Sequence, residues 1–243
     1  MPDLAWWQWS IGAFCAYLVG VAKTGVPGLG ILVVPLMALM VGDAKQSAGW
    51  LLPILCAADV FAVLYWRRHA AAWRLFSLAP WVAVGIACGT GALLLREQWL
   101  RPIVGAIVLA MLVLYLYRRW AGAAVSETPS QAPTYGITAG FATTVANAAG
   151  PVMSLYLLSK RLPKEEFVAT GATFFFFINL TKIPIYVWMG MMSWRSLLFD
   201  AVVVPAVVLG AVSGRWLVHR IPQRLFEACV IVLTAASTLM LFR

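Results

Sequence analysis

Charged residues are scarce in this chain of 243 residues: Asp, Glu, Lys and Arg make up 11%, whereas 63% of the residues are hydrophobic. Water cannot wet so much apolar surface, so the composition excludes a soluble globular protein. Long apolar runs follow one another along the chain, and no polar stretch is long enough to form a separate soluble domain. We expect an all-α polytopic integral membrane protein that has the lipid bilayer as a partner.

Acidic residues are scarcer still, since nine Asp and Glu oppose 18 Lys and Arg and leave a net charge of +9. The basic residues lie mostly in short loops, where they set topology and contact lipid headgroups, so we expect no nucleic-acid partner. The sequence has two histidines and four scattered cysteines without paired spacing. It predicts no metal site, no disulfide and no cofactor.

Catalytic signatures are absent as well. The chain has no His-Glu-x-x-His helix, no nucleophile elbow and no Gly-x-x-x-x-Gly-Lys-Ser/Thr loop. We therefore expect no enzyme. The missing ATP-binding loop favours a secondary carrier, with a separate ATPase subunit as the alternative.

Two glycine-rich breaks interrupt apolar segments, at 23–30 and at 146–151. Unwound backbone at membrane depth is tolerated only where protein buries it or where it lines a cavity. Paired interruptions in corresponding halves indicate the binding site of a transporter. The breaks match at an offset of 120 residues, which pairs Gly20, Ala22, Thr24 and Gly30 with Gly140, Ala142, Thr144 and Gly150.

Further matches extend the similarity between the halves. They pair Asp59 with Asn179, Trp73-Arg74 with Trp194-Arg195, and Pro80, Gly85 and Gly89 with Pro205, Gly210 and Gly214. The order of these matches favours duplication. We divide the chain into a first repeat at 1–120, a flexible linker at 121–133 and a second repeat at 134–243.

The orientation of the repeats depends on how each interrupted region crosses the bilayer. A single crossing gives parallel halves and splits the loop Lys and Arg seven against nine. A region that enters and returns gives inverted halves and splits them eleven against five, as the positive-inside rule expects. We predict two pseudo-symmetric inverted repeats, both termini outside, and interrupted helices that meet near the midplane of the bilayer. Tryptophans near segment ends, such as Trp66 and Trp194, are expected in aromatic belts.

The first break holds a lysine whose insertion at membrane depth costs at least ~2.5–3.5 kcal/mol. Lys23 is predicted to be the counter-charge of an anion, assisted by the Thr24 hydroxyl and by backbone that Gly25, Gly28 and Gly30 leave accessible. The alternative is a lysine that snorkels to the interface. In the second break, Asn147 and Gly150 are predicted to bind the same ligand, with a simple helix kink as the alternative.

Three polar residues lie deep in later apolar segments. Asn179 and Lys182 share one helical face, and Lys182 is too far from either segment end to snorkel, so we expect both to face the anion. Asp59 is predicted either to accept the proton of a coupled cycle or to form a structural ion pair. Asp200 follows Arg195 closely and is expected at the interface.

The chain resembles the sulfite exporter TauE/SafE family over most of its length, from about residue 12 to the end. The features that carry the resemblance are Gly20–Pro35, Ala139–Pro151, Phe174–Lys182 and Gly210–Gly214 leading into Arg220. Val26-Pro27 departs from the glycines expected in the first break.

The resemblance implies a bacterial inner-membrane protein of about eight transmembrane helices that carries sulfite, organosulfonates or related anions. We predict a secondary transporter, acting as an exporter by alternating access with proton coupling. The alternatives are an anion channel and a non-transporting assembly or sensory subunit, and a homodimer is compatible with each.

Overall fold

The structure, a computed structural model, describes residues 4–71, 75–92, 105–106, 109–113, 115–117, 120 and 131–240. The described residues form helices and connecting turns without a β-strand, which confirms the all-α prediction. The helices are α1 (Trp6–Thr24), a 3₁₀ helix (Leu29–Leu32), α2 (Val33–Val41), α3 (Ala44–Trp66), α4 (Ala79–Ala92), α5 (Gln131–Ala146), α6 (Ala149–Ser159), α7 (Lys164–Trp188), α8 (Trp194–Arg220) and α9 (Gln223–Met240).

Three of the described helices are long and apolar enough to cross a membrane: Lys45–Trp66, Lys164–Trp188 and Trp194–Arg220. They contain 22, 25 and 27 residues, which at about 1.5 Å per residue exceed the ~30 Å hydrocarbon core. The breaks fall where the sequence predicts them, between α1 and α2 and between α5 and α6. Gln131–Pro133, at the end of the predicted linker, belong to α5, whereas 121–130, Trp73 and Arg74 lie outside the described residues.

The chain forms two compact units, and each draws on both halves of the sequence. The first comprises Met1–Ala70 and Lys164–Pro222, and the second comprises Ala71–Pro163 and Gln223–Arg243. Compact units and sequence repeats are therefore different divisions of this chain. The division into repeats stays a prediction.

In the first unit, α1 and α8 pack backbone to backbone through glycines. A Cβ on Gly20 would overlap the Val207 carbonyl, and a Cβ on Gly210 would overlap the Tyr17 carbonyl. A Cβ on Gly25 would lie 2.5 Å from Gly214 Cα. Gly12 faces Phe199, Gly20 faces Val207 and Gly25 faces Gly214, so the contacts advance in the same direction along both helices and α1 and α8 run parallel.

The second unit contains the same kind of contact between α4 and α5. A Cβ on Gly140 would overlap the Val82 carbonyl, one on Gly85 would overlap the Ile137 carbonyl, and one on Gly89 would lie 2.8 Å from Thr144 Cβ. Each residue in these contacts has an equivalent in the packing of α1 against α8, where a Cβ on Gly214 would also lie 2.6 Å from Thr24 Oγ1. Tyr17, Gly20 and Thr24 precede Ile137, Gly140 and Thr144 by 120 residues, and Val82, Gly85 and Gly89 precede Val207, Gly210 and Gly214 by 125.

The first interrupted region returns to the end of the unit from which it starts. Gln8 Nε2, near the start of α1, donates to the Met40 carbonyl near the end of α2 at 2.8 Å. Helix α3 then runs antiparallel to α7, since Leu52 packs with Tyr186 and Asp59 contacts Asn179. The starts of α1, α3 and α8 thus share one end of the unit, the Trp6 end.

The opposite end of the first unit, the Trp66 end, brings together the end of α3, the start of α7 and the end of α8. Lys164 Nζ donates to the Val218 and Ile221 carbonyls at 2.7 Å each. Val218 lies in the last turn of α8 and Ile221 is the residue that follows the helix, so the lysine satisfies carbonyls that lack helical partners. Between the two ends lies an apolar core that includes Val19, Met37, Ile54, Phe199 and Val207.

The glycine contacts predict that alanine substitutions at Gly210 and at Gly91 have different effects on stability. Gly210→Ala should lower the free energy of unfolding by about 1–3 kcal/mol, because its methyl group overlaps backbone that can only move apart. Gly91→Ala is the matched control, since no atom lies within 4 Å of its Cβ position in α4. Thermal unfolding in detergent measures both. Equal stability of the two variants would contradict the close approach of α1 and α8.

Candidate functional site

The first break owes its geometry to one left-handed glycine and one buried tryptophan. Helix α1 ends at Thr24, and Gly28 has φ +103°, a conformation that L side chains rarely adopt. The indole Nε1 of Trp66 donates to the Thr24 carbonyl at 3.1 Å. This bond satisfies one of the carbonyls that the end of a helix leaves without a helical partner.

The other predicted residues of the first break are used in packing. Thr24 is buried, and its Oγ1 donates to the Gly20 carbonyl at 2.9 Å and to the Ala211 carbonyl at 2.7 Å. Because the hydroxyl has one hydrogen, an anion would have to draw it away from these carbonyls. Gly25 permits the contact with α8, whereas a Cβ on Gly30 would find only the Ala22 methyl group at 3.7 Å.

Three side chains from three helices form a charged cluster inside the first unit. Lys23 Nζ of α1 lies 2.7 Å from Asp59 Oδ1 of α3, and Asn179 Nδ2 of α7 donates to Asp59 Oδ2 at 2.6 Å. The side chain of Asp59 is 0% exposed and that of Lys23 is 12% exposed. Removing such charges from water is costly, so they persist only when they are paired and hydrogen-bonded.

Lys182 completes this set as a second buried lysine. It lies three residues after Asn179 on α7, is fully buried, and interacts electrostatically with Lys23 and Asp59. Its Nζ lies 5.6 Å from the ring centroid of Tyr186. We call Lys23, Asp59, Asn179 and Lys182 the lysine cluster.

Aromatic residues flank the lysine cluster and the first break. Lys23 Nζ lies 4.1 Å from the ring centroid of Phe175, within cation–π distance. Trp66 is 1% exposed and stacks on His219 at 5.6 Å. The expectation of an aromatic-belt Trp66 is therefore wrong, because its indole N–H is used inside the unit.

The second break lies in the second unit and has a different backbone conformation and different hydrogen bonds. Asn147 has φ +50°, its N–H donates to the Thr143 carbonyl at 3.0 Å, and the Ala148 N–H donates to the Ala142 carbonyl at 3.1 Å. A left-handed residue whose N–H donates to the carbonyl four residues earlier is the αL motif, which ends α5 at Asn147. Gly150 lies in the first turn of α6 with open space around its Cβ position.

Sequence reasoning thus identified residues that meet, without predicting every contact between them. Lys23, Asp59 and Asn179 are in contact, and Lys182 is one turn away on α7. Asn147 and Gly150 belong to the second unit, so their part in the site stays a prediction. In the described part of the chain, no group of three or more His, Cys, Asp or Glu side chains is placed to hold a metal ion.

Sequence reasoning missed Phe175 and did not predict the burial of Asp200. Phe175 is one of four consecutive phenylalanines, and nothing in that run indicates which of them faces Lys23. Asp200 is 5% exposed, and neither carboxylate oxygen has a hydrogen-bond partner among the described residues. Helix α8 turns this side chain toward the interior of the first unit, and the expected position of Asp200 at the membrane interface stays a prediction.

Comparison with known proteins gives one match. A family model described as "Sulfite exporter TauE/SafE" matches residues 12–241. Neither the curated proteins nor the solved structures gave a match.

The Lys23–Asp59 pair predicts coupled effects on stability. Lys23→Met and Asp59→Asn should each destabilise the protein by about 3–5 kcal/mol, because each leaves a buried group without its partner. The double variant should lose clearly less than the sum. Chemical unfolding of the four proteins in detergent measures the cycle, with Asp43→Asn, at an exposed carboxylate, as control. Additive losses would show that the two groups do not interact.

Proposed function

The chain belongs to the sulfite exporter TauE/SafE family, and from that premise we propose that it is a secondary carrier of sulfite or organosulfonates. Family membership and apolar helices make it a membrane protein that transports anions. We further propose that it is a multi-pass exporter of the bacterial inner membrane. The observation that carries the proposal is the buried lysine cluster at the first break.

The composition of the lysine cluster suits an anion. Two lysines accompany one carboxylate in this cluster, and this excess of cationic side chains suits an anionic ligand. Lys23 and Lys182 would supply charge, and Asn179 would supply an amide N–H. Bound anions in transporters face the unwound backbone of interrupted helices, and Lys23 immediately precedes such a break.

Asp59 gives this site a route to proton coupling. An anion that binds Lys23 competes with Asp59 Oδ1, which occupies the same ammonium group. A buried carboxylate that loses its partner is costly in its ionised form, so anion binding favours proton uptake by Asp59. Anion and proton then move in the same direction, and export is driven by the chemical gradient of the anion.

Alternating access requires that the same helices reach two states, each of which opens the site to one side of the membrane. The glycine contacts of α1 with α8 and of α4 with α5 support duplicated structural elements whose rocking would expose the site to either side. The return of α2 to the Trp6 end supports the inverted arrangement. Basic residues favour a cytoplasmic Trp66 end, since Arg67, Arg68, Lys164, Arg215 and Arg220 adjoin it, against Lys45 and Arg195 at the Trp6 end.

Reconstitution into liposomes tests the proposed site. At sub-saturating labelled sulfite, Lys182→Met should lower the uptake rate by about 10- to 100-fold, because a hydrogen bond to a charged group contributes ~1.5–3 kcal/mol. Lys45→Met, at an exposed lysine of α3, should keep the wild-type rate. Wild-type transport by a folded Lys182→Met protein would remove Lys182 from the mechanism.

The same liposomes distinguish the transport mechanisms. A carrier exchanges labelled sulfite outside for unlabelled sulfite inside, and its rate saturates with substrate. A channel gives currents that do not saturate and shows no counterflow. Absence of flux for sulfite, sulfonates and carboxylates, together with a second protein that co-purifies, would instead identify a non-transporting subunit.

A further inference from the structure

Asp200 is a buried acid that the proposed anion site does not use. It lies on the inward stripe of α8 between Phe199 and Val203, both of which are buried. Its side chain is 5% exposed, and both carboxylate oxygens lack a hydrogen-bond partner among the described residues. An ionised carboxylate in such surroundings is strongly unfavourable, whereas a protonated carboxyl is not.

Asp59 and Asp200, two buried acids of the first unit, therefore differ in their ion-pair and hydrogen-bond partners. Asp59 has an ammonium group at 2.7 Å and an amide donor at 2.6 Å, which favour its ionised form. Asp200 has neither. The two also lie apart, since Gly214 packs against Gly25 beside the first break, and the fourteen residue steps of α8 from Asp200 to Gly214 span about 21 Å.

The helices packed on α8 leave the Asp200 carboxylate without a countercharge. On α1 the ionisable side chains are Cys15, Tyr17 and Lys23, and Lys23 pairs with Asp59. On α3 they are Lys45, Cys56, Asp59 and Tyr65, and α2 has none. Nearby on α8 itself is Arg195. None of these groups forms an ion pair or hydrogen bond with either oxygen of Asp200.

We propose that Asp200 is a proton-binding site: its carboxyl is protonated in this conformation and exchanges that proton during the transport cycle. A proton suits the site better than a metal cation, because a metal cation needs several oxygen ligands. Phe199 and Val203 offer none, and the Ser196 hydroxyl, one turn away, is hydrogen-bonded to the backbone of Ser193. The proton is held by one carboxylate oxygen and leaves to water when movement of α8 hydrates the side chain. The exchange half of this proposal rests on the proposed transport function, whereas the protonated state does not.

Infrared spectroscopy of the purified full chain tests the protonated state without transport. At neutral pH and without added anion, the wild type should show the carbonyl stretch of a protonated carboxyl. Asp200→Asn should lose this band, whereas Asp59→Asn and Asp43→Asn should keep it. Persistence of the band in Asp200→Asn, or its absence from the wild type, would overturn the proposal. Stabilisation of the wild type by Na⁺ that Asp200→Asn lacks would also overturn it, in favour of a metal-ion site.

Proton flux tests the exchange. Liposomes with an internal pH-sensitive dye report the protons that move with each labelled sulfite. Asp200→Asn should lower this ratio relative to the wild type, and Asp43→Asn should not, because its carboxylate is exposed at the start of α3. An unchanged ratio in Asp200→Asn would overturn the exchange role. Absence of sulfite flux in the wild type would contradict the proposed function instead, and the infrared result would still decide the protonated state.

Discussion

The contact between Lys23, Asp59 and Asn179 is the interaction on which the rest of the first unit depends. It joins α1, α3 and α7 through a carboxylate that is fully buried. Such a carboxylate persists only with its partners in place, so the three helices must meet at this level of the unit. The same requirement makes the packing of these helices sensitive to anion binding, because an anion that competes for the Lys23 ammonium group disturbs the contacts of all three.

Glycine makes this meeting possible. Gly20, Gly25, Gly210 and Gly214 let α1 and α8 approach at backbone distance, which brings the end of α1 and its lysine into the interior. Gly28 then adopts a positive φ in the break, and Trp66 satisfies the Thr24 carbonyl at the end of α1. Packing and the charged cluster therefore support one another, and the corresponding glycines of α4 and α5 give the second unit the same close contact.

Helices, breaks and buried lysines could be predicted from the sequence because each leaves a local signal: a long apolar run, clustered glycines, or a charge far from any loop. The correspondence between Asp59 and Asn179 was also visible, yet their contact was not, since an offset of 120 residues says nothing about distance. The positions of Trp66 and Asp200 depend on which helix face turns inward. Neighbouring loops suggested an interface for both, and the packing of α3 and α8 buries both side chains inside the first unit.

The central claim is that an anion and Asp59 compete for Lys23, and anion binding to the purified protein tests it most directly. Isothermal titration with sulfite at constant pH should give tighter binding to Asp59→Asn than to the wild type, because the amide does not compete for the ammonium group. Asp43→Asn should bind as the wild type does. Weaker binding to a folded Asp59→Asn protein would contradict the account.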